Sequence, residues 1–201
     1  MSESESQSPS TARERVLHMA ETLFRERGYA AVSLNDLADA LGMRKASLYH
    51  HAPGGKEALY MEVMERIMQR YRAGLEATVH GGGLTFVGKL RAAAHWLIEQ
   101  PSLHYGRMMQ SDLAAISPEN AQRLRHSTHA ALLTPLRSAF LPEMQLRGLD
   151  LARVEYLTGA FLAIVESIQN LPDEFSATPK TEMADFVIET LFRNFGKKEM
   201  E

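Results

Sequence analysis

The stretch that decides the fold is Ser33-Leu34-Asn35-Asp36-Leu37-Ala38-Asp39-Ala40-Leu41-Gly42-Met43-Arg44-Lys45-Ala46-Ser47-Leu48-Tyr49-His50-His51-Ala52. Ser33 with an acid three residues later is a capping pattern, in which each side chain satisfies a backbone N–H that the helix leaves unpaired. It predicts a short helix to about Leu41. Gly42 permits a tight turn, and a second short helix is expected from about Arg44 to His51, ended by Pro53-Gly54-Gly55. Two short helices joined at a glycine, behind a longer support helix, describe a helix-turn-helix whose second helix enters the major groove of DNA.

The residue types on that second helix suit the task. Arg44 and Lys45 carry donors for guanine edges or phosphates. Ala46 and Ser47 are small enough to let the helix approach base edges. Tyr49 and His50 can donate to phosphates, and Lys56 stands at the start of the next helix, where charge and free N–H groups both favour an anion. Leu37, Ala38, Leu41 and Leu48 are the expected buried side. From Gly42 to Lys56 the charged residues are Arg44, Lys45 and Lys56, with no acid among them, in a chain of net charge −3.

Helical periodicity continues on both sides. Upstream, Thr11 with Glu14 predicts a capped start, Ala12, Val16, Ala20, Leu23 and Phe24 share one face, and Gly28 supplies the stop. Downstream the pattern predicts a long helix from Gly55 to His80, broken at Gly81-Gly82-Gly83. Further helices are expected over Leu84–Gln100, Ser102–Ile116, Pro118–Phe140 (kinked at Pro135), Asp150–Leu171 and Lys180–Phe195. Loops are expected around Pro142 and Gly148, and over Pro172–Pro179. No run alternates as a strand does. The expected fold class is all-α, about nine helices, with a helix-turn-helix head on a helical ligand-binding and dimerisation body. The expected divisions are a disordered tail over 1–10, a DNA-binding domain over 11–59 and the body over 60–201.

Composition narrows the function classes. The 201 residues are 45% apolar and 23% charged, ordinary for a globular chain, and there is no cysteine. That excludes disulfide frameworks and thiolate zinc sites. The first ten residues lack a secretory apolar core, and the most apolar stretch, near Leu157–Val165, is too short to span a bilayer. A cytoplasmic protein without membrane association is expected.

The stretches Gly28-Tyr29-Ala30-Ala31-Val32-Ser33-Leu34-Asn35-Asp36-Leu37-Ala38, Leu41-Gly42-Met43, Ser47-Leu48-Tyr49-His50-His51 and Gly55-Lys56-Glu57-Ala58-Leu59 resemble the DNA-binding head of the tetracycline-repressor (TetR) family. The match covers Arg13 to Leu59. The resemblance implies that Ser33, Tyr49, His50 and Lys56 hold phosphates while Arg44, Lys45, Ala46 and Ser47 face bases. Two positions depart from the family pattern: Arg44 replaces the usual Ser or Thr cap of the recognition helix, and Ala52 replaces a usual aromatic.

In the body, Gly159, Ala163 and Ser167 form a smooth strip at four-residue spacing. The last helix carries Phe186, Val187, Thr190 and Leu191 on a wide apolar face that runs on to Asn194 and Phe195. The resemblance implies a four-helix dimer bundle made by these two helices of each subunit. Trp96, Tyr105, Met108 and Met109, with Phe161, are the candidate lining of a small-molecule pocket, apolar walls with few polar groups. His126 and His129 share a helical face, but no carboxylate or thiol at suitable spacing accompanies them, and neither metal nor cofactor is expected. The sequence thus points to a repressor that binds a near-palindromic duplex operator as a homodimer and is released by a small-molecule effector. Alternatives are a helical scaffold or small-molecule-binding protein, or a hydrolase; for the last, no nucleophile motif, phosphate loop or metal-hydrolase pattern is present.

Overall fold

Capping chemistry starts and stops the first short helix of the pattern as its residues demand. The computed structural model describes residues 9–81, 85–146, 148, 150–175 and 177–192, and no strand occurs among them. Helix α2 (Leu34–Leu41) opens on the expected capping box: the Asp36 N–H donates to Ser33 Oγ at 3.2 Å, and the Ser33 N–H donates to Asp36 Oδ2 at 2.7 Å. Gly42 closes it at φ 63°, and the Met43 N–H reaches back to the Ala38 carbonyl at 2.9 Å. Helix α3 (Lys45–His51) follows. Its preceding residue, Arg44, is extended but makes no side-chain cap, so the cap that the Ser or Thr of the family pattern would provide is lost.

Helix α1 departs from expectation. It spans Pro9–Arg27, beginning before Thr11. Thr11 thus lies inside the helix rather than at its cap, and the Glu14 carboxylate accepts hydrogen bonds from Arg66 Nη1 and Nη2, at 3.1 and 2.7 Å. Helix α4 is long, Gly55–Val79, and α5 spans Phe86–Glu99, started by Thr85, whose Oγ1 accepts the Gly88 N–H at 3.1 Å. The predicted helix over Ser102–Ile116 is shorter. It consists of one turn, α6 (Tyr105–Arg107), running into a π-helical turn at Met108–Asp112, where the Leu113 N–H bonds the Met108 carbonyl at 3.1 Å.

Helix α7 (Pro118–Thr128) passes through a second π-helical turn, His129–Leu133, into α8 (Thr134–Gln145). The wider turn lies where Pro135, lacking an N–H, interrupts the ladder. Pro142, expected in a loop, lies inside α8 instead. Phe140 and Met144 on either side of it are fully buried, so packing offsets the lost bond. Helix α9 (Leu151–Gln169) starts at Asp150, which accepts the Arg153 N–H at 2.9 Å, and α10 spans Lys180–Phe192. The rest of the glycine break (Gly82, Gly83), the start at Leu84, the end at Asn194 and Phe195, and the tail over 1–8 lie outside the described residues.

The chain forms two compact units: residues up to Ile67 with His104–Arg125, and Met68–Leu103 with the residues from His126 on. The first therefore takes in a returning segment that patterning assigned to the body. In it α1, α2 and α3 pack on one another over Leu37, Ala38 and Leu48, all fully buried, while Leu41 is only half-buried. In the second, α5 packs on α8, α9 and α10. Its centre is Phe140, whose ring lies 5.4 Å from Phe86, 5.6 Å from Phe192 and 6.1 Å from Phe161.

Trp96 on α5 packs edge-on to Tyr71, centroids 5.4 Å apart, with its indole directly over Gly74. A Cβ at position 74 would stand 1.9 Å from the indole Cζ2. Gly74→Ala gains about 1 kcal/mol of helix propensity. Displacing the ring costs more, so a net destabilisation of about 1–2 kcal/mol is expected. A thermal melt and the fluorescence of Trp96, the only tryptophan of the chain, check this; an unchanged spectrum with a higher melting temperature would refute it.

Candidate nucleic-acid interface

The outward side of α3 carries the chemistry. Arg44, Lys45, Ala46 and His50 are exposed, Ser47 is half-buried, and Tyr49 is 54% exposed, while Leu48 alone turns fully inward. The far end of α3 is tied down by Arg13, which donates to the His51 carbonyl and pairs with Glu62. Ala52 is buried at 3% exposure.

A cavity of about 380 Å³ opens between residues 30–35, Tyr49 and Lys56, bringing Ser33, Tyr49 and Lys56 to one groove. Arg44, Lys45, Ala46, Ser47 and His50 do not line it. The Lys56 Nζ lies 4.1 Å from the centroid of the Tyr29 ring, a cation–π contact that fixes the ammonium at the groove. Burial pulls the Lys56 pKa down, opposed by the Asp112 and Asp36 carboxylates. Burial likewise raises the Tyr29 phenol, and the hydrogen bond from the Ser33 hydroxyl lowers the Asp36 carboxyl.

Sequence reading missed what stands behind Tyr29. The Tyr29 N–H donates to Asp112 Oδ1 at 2.9 Å, and Asp112 is a buried carboxylate at 5% exposure. The Arg107 guanidinium donates to the carbonyls of Phe24, Arg25 and Glu26 at the C-terminal end of α1. Glu57 Oε1 accepts from the Ser117 N–H at 2.9 Å, the Ser117 hydroxyl at 2.6 Å and the Asn120 amide at 2.7 Å. These bonds, led by that from the Ser117 hydroxyl, hold the Glu57 carboxyl below its usual range. The contribution is complete above the unfolded carboxylate pKa and is lost only as pH falls through the lower folded value. No motif announces these partners, which lie 60 to 83 residues away in sequence.

The other candidate residues fall as follows. Tyr105, Met108 and Met109 belong to the first unit, with Met108 fully buried, whereas Trp96 and Phe161 belong to the second, so neither unit gathers all five. Gly159, Ala163 and Ser167 are exposed on α9, opposite the buried Val154, Phe161 and Val165. On α10, Phe186 is 73% and Leu191 48% exposed, Thr190 is exposed and Val187 half-buried; on α9, Tyr156 is 74% exposed, which the sequence reading did not single out. His126 and His129 are exposed, and no cluster of three or more His, Asp or Glu suited to a metal occurs among the described residues. Among those residues no helix is long and apolar enough to cross a membrane.

Comparison with known proteins agrees with this geometry. The family described as bacterial regulatory proteins, tetR family, matches residues 16–63. The uncharacterized HTH-type transcriptional regulator YxaF of Bacillus subtilis is 45% identical over 53 residues, 26% of this chain and only 28% of that protein's length. In fold, the chain is similar to AibR in its complex with isovaleryl coenzyme A and operator DNA, with TM-score 0.72 and 22% identity over 90% of this chain and 97% of that one. It is also similar to the TetR family transcriptional regulator PfmR of Thermus thermophilus, with TM-score 0.62 and 26% identity over 89% and 97% of the two chains. The segment over residues 16–63 is thus similar to the DNA-binding head of the tetR family of bacterial regulatory proteins, and the whole chain shares its all-helical fold with solved regulators.

Proposed function

We propose that this protein is a cytoplasmic, sequence-specific DNA-binding transcription repressor, not an enzyme, acting as a homodimer on a near-palindromic operator and released by a small-molecule effector. The observation that carries the reading is the groove of Ser33, Tyr49 and Lys56 beside the outward face of α3. Donors for phosphate lie together there, next to small residues that admit base edges. The residues up to about Leu59 serve as the reading head and the helices beyond as the effector and dimer body. Trp96 and Phe161, and in the other unit Tyr105, Met108 and Met109, are the first places to look for effector contacts. Isovaleryl coenzyme A, bound by a neighbour of the same fold, is a first probe.

The test is selection of duplexes by the full chain from fragments of its source genome. Lys56→Ala is expected to weaken binding about equally across selected sequences, because a phosphate contact carries no base information. Lys45→Ala or Ser47→Ala is expected to change the preferred base, at about 1–3 kcal/mol for a lost bidentate contact. If no duplex is enriched, or if Lys56→Ala binds the selected duplex as wild type does, the scaffold or small-molecule-binding reading takes its place.

A further inference from the structure

The returning segment His104–Arg125 is part of the head's compact unit, yet nothing in the helix-turn-helix pattern requires it. Its one fully buried carboxylate, Asp112, is spent on the Gly28-Tyr29 turn. There the chain leaves α1, Gly28 adopts φ +80°, and a Cβ on Gly28 would stand 3.0 Å from Asp112 Oδ1. So the turn and the carboxylate are fitted to each other.

From that turn the Tyr29 ring packs against Phe24 and Tyr60, centroids 6.2 and 4.8 Å away, and carries the Lys56 ammonium on its face. We infer that Asp112 is a positioning residue for DNA binding: by fixing the Tyr29 backbone it holds the ring on which Lys56 rests, and so sets the place of the phosphate-binding ammonium.

Three further observations support the chain Asp112–Tyr29–Lys56. Asp112 sits at the end of a π-helical turn, a local widening that swings one residue out of the ordinary helical register and here aims a carboxylate into the head. Arg107, five residues earlier, anchors the same turn of chain to the end of α1. The negative charge of Asp112 also acts on Lys56 directly, favouring the protonated form that burial disfavours.

The inference rests on the DNA-binding reading, and one experiment separates the two. Affinity for a duplex selected by the wild-type chain is measured across a salt series for Lys56→Ala, Asp112→Ala and the double variant. Each phosphate contact contributes about −0.9 to the slope of log affinity against log salt. Asp112→Ala is expected to lose about tenfold in affinity, between the scales of an exposed and a desolvated cation–π contact, and to flatten the slope as far as Lys56→Ala does. The double variant should lose no more than either single one. Asp112→Asn, which restores an oxygen acceptor for the Tyr29 N–H, should recover most of the loss.

Should Asp112→Ala not fold, Tyr29→Leu takes its place, since it keeps the backbone bond and removes only the ring under Lys56, with the same expectations. Wild-type affinity and slope in Asp112→Ala overturn the inference. So does a loss at unchanged slope, the signature of a merely destabilised head, or a loss that adds to that of Lys56→Ala. If Lys56→Ala itself binds as wild type, the DNA-binding reading fails first.

Discussion

On the homodimeric repressor reading proposed above, Phe186→Asp is expected to give a monomer and to weaken operator binding by more than about a hundredfold, the largest functional effect of any single change considered. Phe186 is 73% exposed in the single chain, beside the half-buried Val187 and the exposed Thr190 and Leu191 on α10. On α9 the strip Gly159, Ala163, Ser167 is also open, although the opposite side of the helix is buried core. The hydroxyls on these surfaces bond their own helices, Ser167 to the Ala163 carbonyl and Thr190 to the Phe186 carbonyl, each at 2.8 Å. That leaves smooth surfaces without unmet polar demands.

Burying a phenylalanine side chain contributes about 1.5–3 kcal/mol, and two-fold symmetry counts it twice. A carboxylate in its place loses that and adds a desolvation penalty of several kcal/mol per ion. Because Phe186 projects into solvent in the single chain, the variant should fold normally by circular dichroism. Light scattering gives the assembly state, and Ala163→Glu on α9 should act alike. If both variants remain dimers with unaltered duplex affinity, the dimer surface lies elsewhere.

Gly28→Ala is expected to destabilise the protein by about 2–3 kcal/mol, clearly more than Gly42→Ala at about 1 kcal/mol. Both glycines have positive φ, +80° and +63°, and both variants incur the left-handed strain of a side chain. The surroundings differ. A Cβ at Gly42 meets nothing within 4 Å, whereas at Gly28 it meets Asp112 Oδ1 at 3.0 Å and Arg107 Nε at 3.4 Å. Neither group can yield cheaply: the carboxylate is held by the Tyr29 N–H and the guanidinium by carbonyls at the end of α1. For a chain of this size the difference amounts to about 2–8 °C between the two melting temperatures. Equal melting temperatures would mean that the contact between turn and carboxylate carries no weight.

What the sequence by itself determined is local. The capping box of Ser33 and Asp36, the left-handed stop at Gly42 and the start of α9 at Asp150 each depend on atoms within four residues of one another, so residue types at fixed spacing suffice to place them. The outward and inward sides of α2 and α3 follow from the same periodicity. Tertiary structure decided whatever depends on a partner far along the chain. Glu14 looks like a capping residue, yet α1 begins before Thr11 and the Glu14 carboxylate pairs with Arg66, 52 positions away. Pro142 looks like a helix end, yet the burial of Phe140 and Met144 carries α8 through it. Asp112 looks like one acid among many, and only the packing of the returning segment brings it, 83 residues on, to the Tyr29 N–H. Periodicity reports which side of a helix is apolar, but not which buried polar group that side will meet. That pairing is selected by the cost of leaving either group unsatisfied once the helices have packed.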